Sequence, residues 1–251
     1  MKQHSILEAL SKREHELVKN ASKRYGEMYY NSELSINFFN SFSINNENGL
    51  PFILFTIDLK NNLYLALLSI IRKHASQALV MFRKCIESAV LATYGLHVQD
   101  LNYFGKITKD KTIDINQETL YKANKWIEKN YSETSDYLKA KKDLINSHFS
   151  HSNILAVGIF NHNNWTENIE TFFNKETDFE FFTKAMLCTL ADSSCYIINF
   201  FIRISMRYSS IITFNEQHKS EFKNIDLKVQ QTNYNFSILM KLYKSKSNLQ
   251  I

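Results

Sequence analysis

One proline and five glycines in 251 residues leave almost no positions reserved for breaking or sharply turning the backbone. A chain so short of breakers folds into long helices, because little interrupts a 3.6-residue pattern once it has begun. Hydrophobic residues make up 44% of the sequence and aromatics 14%, enough apolar surface to offset the entropy of ordering, which excludes an intrinsically disordered chain. The expected architecture is mainly α: a multi-helix bundle, with room for one small β-hairpin near residues 153–173. Residues 1–210 are expected to form a single helical-bundle domain, and 211–251 a polar C-terminal extension, partly helical or disordered.

Hydrophobic periodicity places the helices. Residues 5–30 alternate Ile6, Leu7, Leu10, Leu17, Val18, Ala21, Tyr25 and Met28 with charged residues, as one amphipathic helix does. Residues 31–48, rich in Ser and Asn, predict a loop, and 50–59 fit a strand or a helix equally well. The strongest pattern spans 75–96, where Ala75, Ala78, Leu79, Phe82, Cys85, Ile86, Ala89, Val90 and Thr93 share a face, with Gly95 expected to end or fray it. Residues 105–116 predict a loop, while 117–131 and 134–150 predict a helical hairpin. The β-branched run 153–160, followed by turn-forming residues, predicts a β-hairpin or an ordered loop. Residues 177–206 form the longest helical pattern, apolar nearly all round as a central helix should be, and a single shorter helix is expected near 216–229.

A net charge of +5 and a pI near 8.9 permit contact with phosphates without reaching a strong nucleic-acid signature. Cys85, Cys188 and Cys195 all lie in apolar helical runs, which predicts buried, reduced thiols. The first residues form no apolar signal core, and both observations fit a cytoplasmic location. Residues 185–204 approach membrane-spanning length, but Asp192 and Asn199 interrupt them. A buried bundle helix needs only a partner for Asp192, so no membrane association is expected.

The densest group of chemically useful side chains is the stretch from Lys141 to Asn153, which holds His148 and His151. Stepping 100° per residue puts Tyr137, Leu138, Leu144, Ile145 and Phe149 on an apolar face. Lys141 and His148 fall inside that face, His151 at its edge, and Asn146 and Ser150 elsewhere. A titratable group on a core face needs a partner or a cleft. Arg83 and Glu87, four apart in an otherwise apolar helix sector, can pair within their helix and aim a guanidinium fork.

Three chemistries compete. In a nucleolytic site His148 or His151 serves as general acid or base for a ribose 2′-hydroxyl; Arg83 or Lys142 stabilises phosphate charge, Asn146 orients the scissile group, and Glu87 holds the guanidinium. In a metal site His148 and His151 are joined by Glu87 or Asp192, but the spacing supplies no sure third ligand, so no metal or cofactor is expected. In a structural network these polar groups satisfy one another. The Glu14-His15-Glu16 run reads as a solvated helix face. No Gly-rich phosphate loop, CxxC pair or GxSxG elbow is present.

The helical bundle and the segment Lys142-Asp143-Leu144-Ile145-Asn146-Ser147-His148 resemble the HEPN superfamily of prokaryotic RNases and RNA-binding domains. Members of that superfamily commonly carry an Arg, a polar residue and a His on one helix, often completed by dimerisation. Here the basic position is Lys142, and none of the six arginines has a His five to seven residues after it. The resemblance implies a bacterial or phage-type effector, of the toxin or phage-defence kind, that cleaves RNA when released from a partner. RNA, a protein partner or a second copy of the chain are then the expected partners. The alternative is a non-catalytic helical interaction module that binds a protein or nucleic-acid partner. The layout of Arg83, Glu87, Ser147 and His151 is also similar to that of uncharacterised bacterial helical proteins, which implies no reaction.

Overall fold

The computed structural model describes residues 6–107, 113–116, 118–148 and 176–247. They form a mainly α bundle with two short two-stranded antiparallel sheets. The helices are α1 (Ile6–Lys19), α2 (Ala21–Tyr25), α3 (Glu27–Asn37), α4 (Leu50–Ile71) and α5 (Ala75–Val98), then α6 (Thr119–Asn130), α7 (Ser132–His148), α8 (Glu176–Arg207) and α9 (Gln217–Ser247). The β-hairpin expected near 153–173 lies outside the described residues.

The single helix expected over residues 5–30 is three. Gly26, at φ +51°, takes a conformation that only glycine adopts without strain, and it separates α2 from α3. The loop expected over 31–48 is only partly one. Helix α3 continues to Asn37, a 3-10 turn follows, and β1 (Phe42–Ile44) pairs with β4 (Ile212–Phe214) in the register Phe42 to Phe214 and Ile44 to Ile212. The loop expected over 105–116 is instead interrupted by β2 (Gly105–Ile107), which pairs antiparallel with β3 (Ile113–Ile115). Strands of three residues fall below what alternation can reveal.

The undecided segment from residue 50 is the start of α4, with Pro51 in the first turn, where the missing N–H costs nothing. Helices α4 and α5 form an antiparallel hairpin closed by Arg72, Lys73 and His74. Gly95 does not end α5. It lies inside the helix, and a Cβ there would stand 2.8 Å from the Pro51 Cβ, so glycine lets the start of α4 approach closely. The helix stops at Gln99, which takes the left-handed conformation at φ +60°.

Helix α8 runs through the centre and packs against α3, α4, α5 and α9. Its Leu187, Ile197, Ile198, Phe200 and Phe201 are buried, and Phe201 meets Phe52 of α4 at a centroid separation of 5.0 Å and Phe42 of β1 at 5.7 Å. Each fully buried side chain of this size contributes about 1.5–3 kcal/mol relative to an exposed one. The helix expected near 216–229 extends through Ser247 as α9, whose Phe222, Ile225 and Val229 are buried against the core. Among the described residues two helical segments, Glu47–Ile71 and Glu180–Arg207, are long and apolar enough to cross a membrane by composition; 44% and 67% of their respective apolar windows are already buried inside the protein.

All three cysteines are free and buried, as their apolar surroundings required. Burial pushes the Cys188 thiol up to about 11, so at neutral pH it stays protonated and unreactive.

Candidate functional site

Helix α7 begins at Ser132, lies along α5 and reaches across to α8, and its sequence gives it one apolar stripe with two polar shoulders. Leu138 and Ile145, each 3% exposed, form the stripe. Lys142 and Asn146 occupy one shoulder and Tyr137 and Lys141 the other, since four-residue steps keep each pair together. Leu144, expected on the buried face, is 53% exposed. The buried face is therefore narrower than the sequence pattern on the Leu144 side.

On the first shoulder four of the expected site residues come together. Arg83 Nε lies 3.3 Å from Glu87 Oε1, and Arg83 donates through Nη1 to Asn146 Oδ1 at 3.1 Å. Lys142 Nζ lies 2.9 Å from the same Glu87 Oε1. Glu87 thus serves as the common acceptor for two cations from two helices, and Asn146 takes the remaining reach of the guanidinium. Asn146 lies off the apolar stripe, as the helical period places it, and from there it meets Arg83. The shoulder it occupies is covered by α5.

The cluster forms one wall of a cleft of about 380 Å³ between α5, α6 and α7. Charged groups lining that cleft are the carboxylates Glu87, Glu128, Asp136 and Asp143 and the ammonium groups Lys125, Lys139 and Lys142. With Arg83 beside them the signs balance among the described residues, whose charges therefore present no one-signed field of the kind that concentrates a polyanion. Tyr121, 66% exposed, stands on the α6 side of the cleft.

The second shoulder holds an arrangement that pairwise sequence reasoning did not assemble. Tyr137 donates its hydroxyl to Asp192 Oδ2 at 2.9 Å and stacks on Tyr196 with centroids 3.6 Å apart, while Lys141 Nζ approaches the same Asp192 oxygen at 3.5 Å. Burial and the facing carboxylate push the Tyr137 hydroxyl well above the usual tyrosine range, which keeps it a donor. Lys141 and Asp192 each stand out in the sequence as a lone charge on an apolar face. Their opposite signs were the signal that they belong to one another.

His148 is the last residue of α7, seven residues after Lys141. His151 lies outside the described residues. Glu14, expected to be solvated, is instead engaged: its carboxylate lies 3.2 Å from His74 Nε2 and 3.5 Å from Arg72 Nε, tying α1 to the end of α4. Among the described residues no group of three His, Cys, Asp or Glu side chains is placed to hold a metal ion. No family model matches the sequence, and no curated protein or solved structure matches it.

Proposed function

We propose that the protein is a non-catalytic helical interaction module whose cleft between α5, α6 and α7 docks a polypeptide partner of mixed charge. The observation that carries this reading is the internal neutralisation of the cleft, in which one Glu87 oxygen lies within salt-bridge distance of both Arg83 and Lys142. Groups already satisfied by one another hold a surface in shape, and alternating charges favour a partner that presents both signs. The exposed Tyr121 ring supplies the kind of amphipathic anchor that dominates binding at protein interfaces. The test is the solution mass of the full chain with and without cellular extract, run beside incubation with tRNA, rRNA and mRNA. A stable hetero-complex that is lost on Tyr121→Ala, with every RNA left intact, supports the module. RNA cleavage by the wild-type chain overturns it.

A second reading, an HEPN-like ribonuclease of the toxin or phage-defence kind, is favoured by a different observation. The helix that brings Lys142 and Asn146 onto Arg83 is the one that ends at His148. In that reading Arg83 and Lys142 contact phosphate and His148 or His151 moves the proton. Cleavage abolished by His148→Ala with His151→Ala, and weakened by Arg83→Ala, is its expected outcome. Equal cleavage by all variants would point to a contaminating nuclease.

A further inference from the structure

A cavity of about 180 Å³ lies where α4, α5, α7 and α8 meet, on the far side of α7 from the polar cleft. It exists because the helices present small residues to one another there: Ala66 from α4, Ala78 from α5 and Ala185 from α8. Ile70, Phe82 and Leu190 close its apolar walls. Its size slightly exceeds the roughly 150 Å³ of apolar cavities that stay dry and take up benzene. One aromatic ring or a folded chain of about six to eight carbons fits such a space.

The lining is not uniformly apolar. Among the described lining residues Lys141 supplies the only charged side chain, and Thr189 the other polar one. The Lys141 ammonium stands over the Tyr137 ring at 5.1 Å and reaches Asp192 at 3.5 Å, a separation too long for a tight hydrogen bond. An ammonium has three N–H donors, and one carboxylate at that distance does not use them all. Asp192 is not among the described lining residues whereas Lys141 is, so the cation is the member of this ion pair that borders the hollow. A cation at the edge of an otherwise apolar hollow complements a ligand with an apolar body and an anionic head, since attraction is strongest where water is scarce.

We propose that this cavity binds a small amphiphilic carboxylate, a free medium-chain or aryl carboxylic acid, with its hydrocarbon body among the four helices and its carboxylate on Lys141. The site is separate from the polar cleft, and the proposal stands whether the cleft docks a protein or handles RNA. Met186, also in the lining, has the unbranched, polarizable side chain that adjusts to such a body.

Calorimetric titration of the full chain with octanoate, 1-octanol and acetate tests the assignment. Octanoate is expected to bind and acetate not to bind. Lys141→Met should weaken octanoate at least about tenfold while changing 1-octanol less than about twofold, because only the charge-assisted contact is lost. Ala78→Leu, or Ala185→Leu from the opposite wall should the first not fold, fills the hollow and should abolish binding of both long-chain probes. Retained octanoate binding in a folded filled variant overturns the site. Unchanged octanoate affinity in Lys141→Met overturns the role of the cation, and failure of octanoate to bind the wild-type chain overturns the proposal as a whole.

Discussion

The two shoulders of α7 are built from adjacent residues and solve opposite problems. Lys142 joins Glu87, Arg83 and Asn146 at a wet cleft where charges are paired in plain view of solvent. Lys141, one residue earlier, edges an apolar hollow and shares Asp192 with Tyr137. A 100° step is enough to move a lysine from one regime to the other. On the cleft side polar groups set a surface, and their net worth in stability is small because water competes for them. On the cavity side a polar group must be held by partners, and the surrounding apolar contacts carry the folding energy.

The sharpest way to break that contrast is Phe82→Ala. Phe82 is 6% exposed and forms part of the cavity wall, so truncation removes a large apolar side chain and widens an existing hollow. Urea unfolding should show a loss of about 3–5 kcal/mol. Loss below about 1 kcal/mol would mean that the walls collapse to fill the space, and that the apolar shoulder is as compliant as the polar one.

Tyr137→Phe asks how much of the cavity side rests on its polar partner. Removing a hydroxyl that donates to Asp192 at 2.9 Å should cost about 1–2 kcal/mol at neutral pH. The variant also carries a pH signature. In the folded protein burial and Asp192 hold the Tyr137 pKa above its ordinary value of 10.0. Above that ordinary value the unfolded chain loses the proton while the folded one keeps it, so stability falls as pH rises through the alkaline range. Denaturation midpoints of the wild type should decline more steeply above pH 10 than those of Tyr137→Phe. Parallel declines would show that the hydroxyl is solvated rather than held.

Much of this frame was legible in the sequence. Apolar periodicity marked α5 and α8 nearly to their ends, because both are long and each buries a broad face. It did not mark β1 and β4, which are three residues long and pair Ile44 with Ile212 and Phe42 with Phe214 from far apart in the chain, so neither local alternation nor proximity betrays their pairing. Gly95 was misleading for a physical reason. Glycine ends helices by adopting a left-handed conformation, but it also admits a neighbouring backbone, and only the presence of Pro51 across the gap distinguishes the two uses. At the site, the Arg83 and Glu87 pair followed from four-residue spacing, whereas the contact of Arg83 with Asn146 spans 63 residues and depends on how α5 and α7 pack. The cavity had no sequence signal at all, since Ala66, Ala78 and Ala185 read as ordinary helix formers until the helices are set side by side.

The smallest effect separates shape from charge on the cleft side. Arg83→Lys retains the positive charge but replaces a fork with a point. The guanidinium reaches Glu87 through Nε and Asn146 through Nη1, and a single ammonium cannot hold both positions. Arg83 is 41% exposed at its side chain, so the expected loss of stability is only about 0.5 kcal/mol or less. The informative quantity is the coupling energy between positions 83 and 146 from a double-mutant cycle with Asn146→Ala. It should be measurable with arginine at 83 and fall to about zero with lysine. Persistent coupling in the lysine background would mean that charge alone organises this shoulder; the cleft would then owe its shape to electrostatics that salt can screen, rather than to a geometrically fixed bond between α5 and α7.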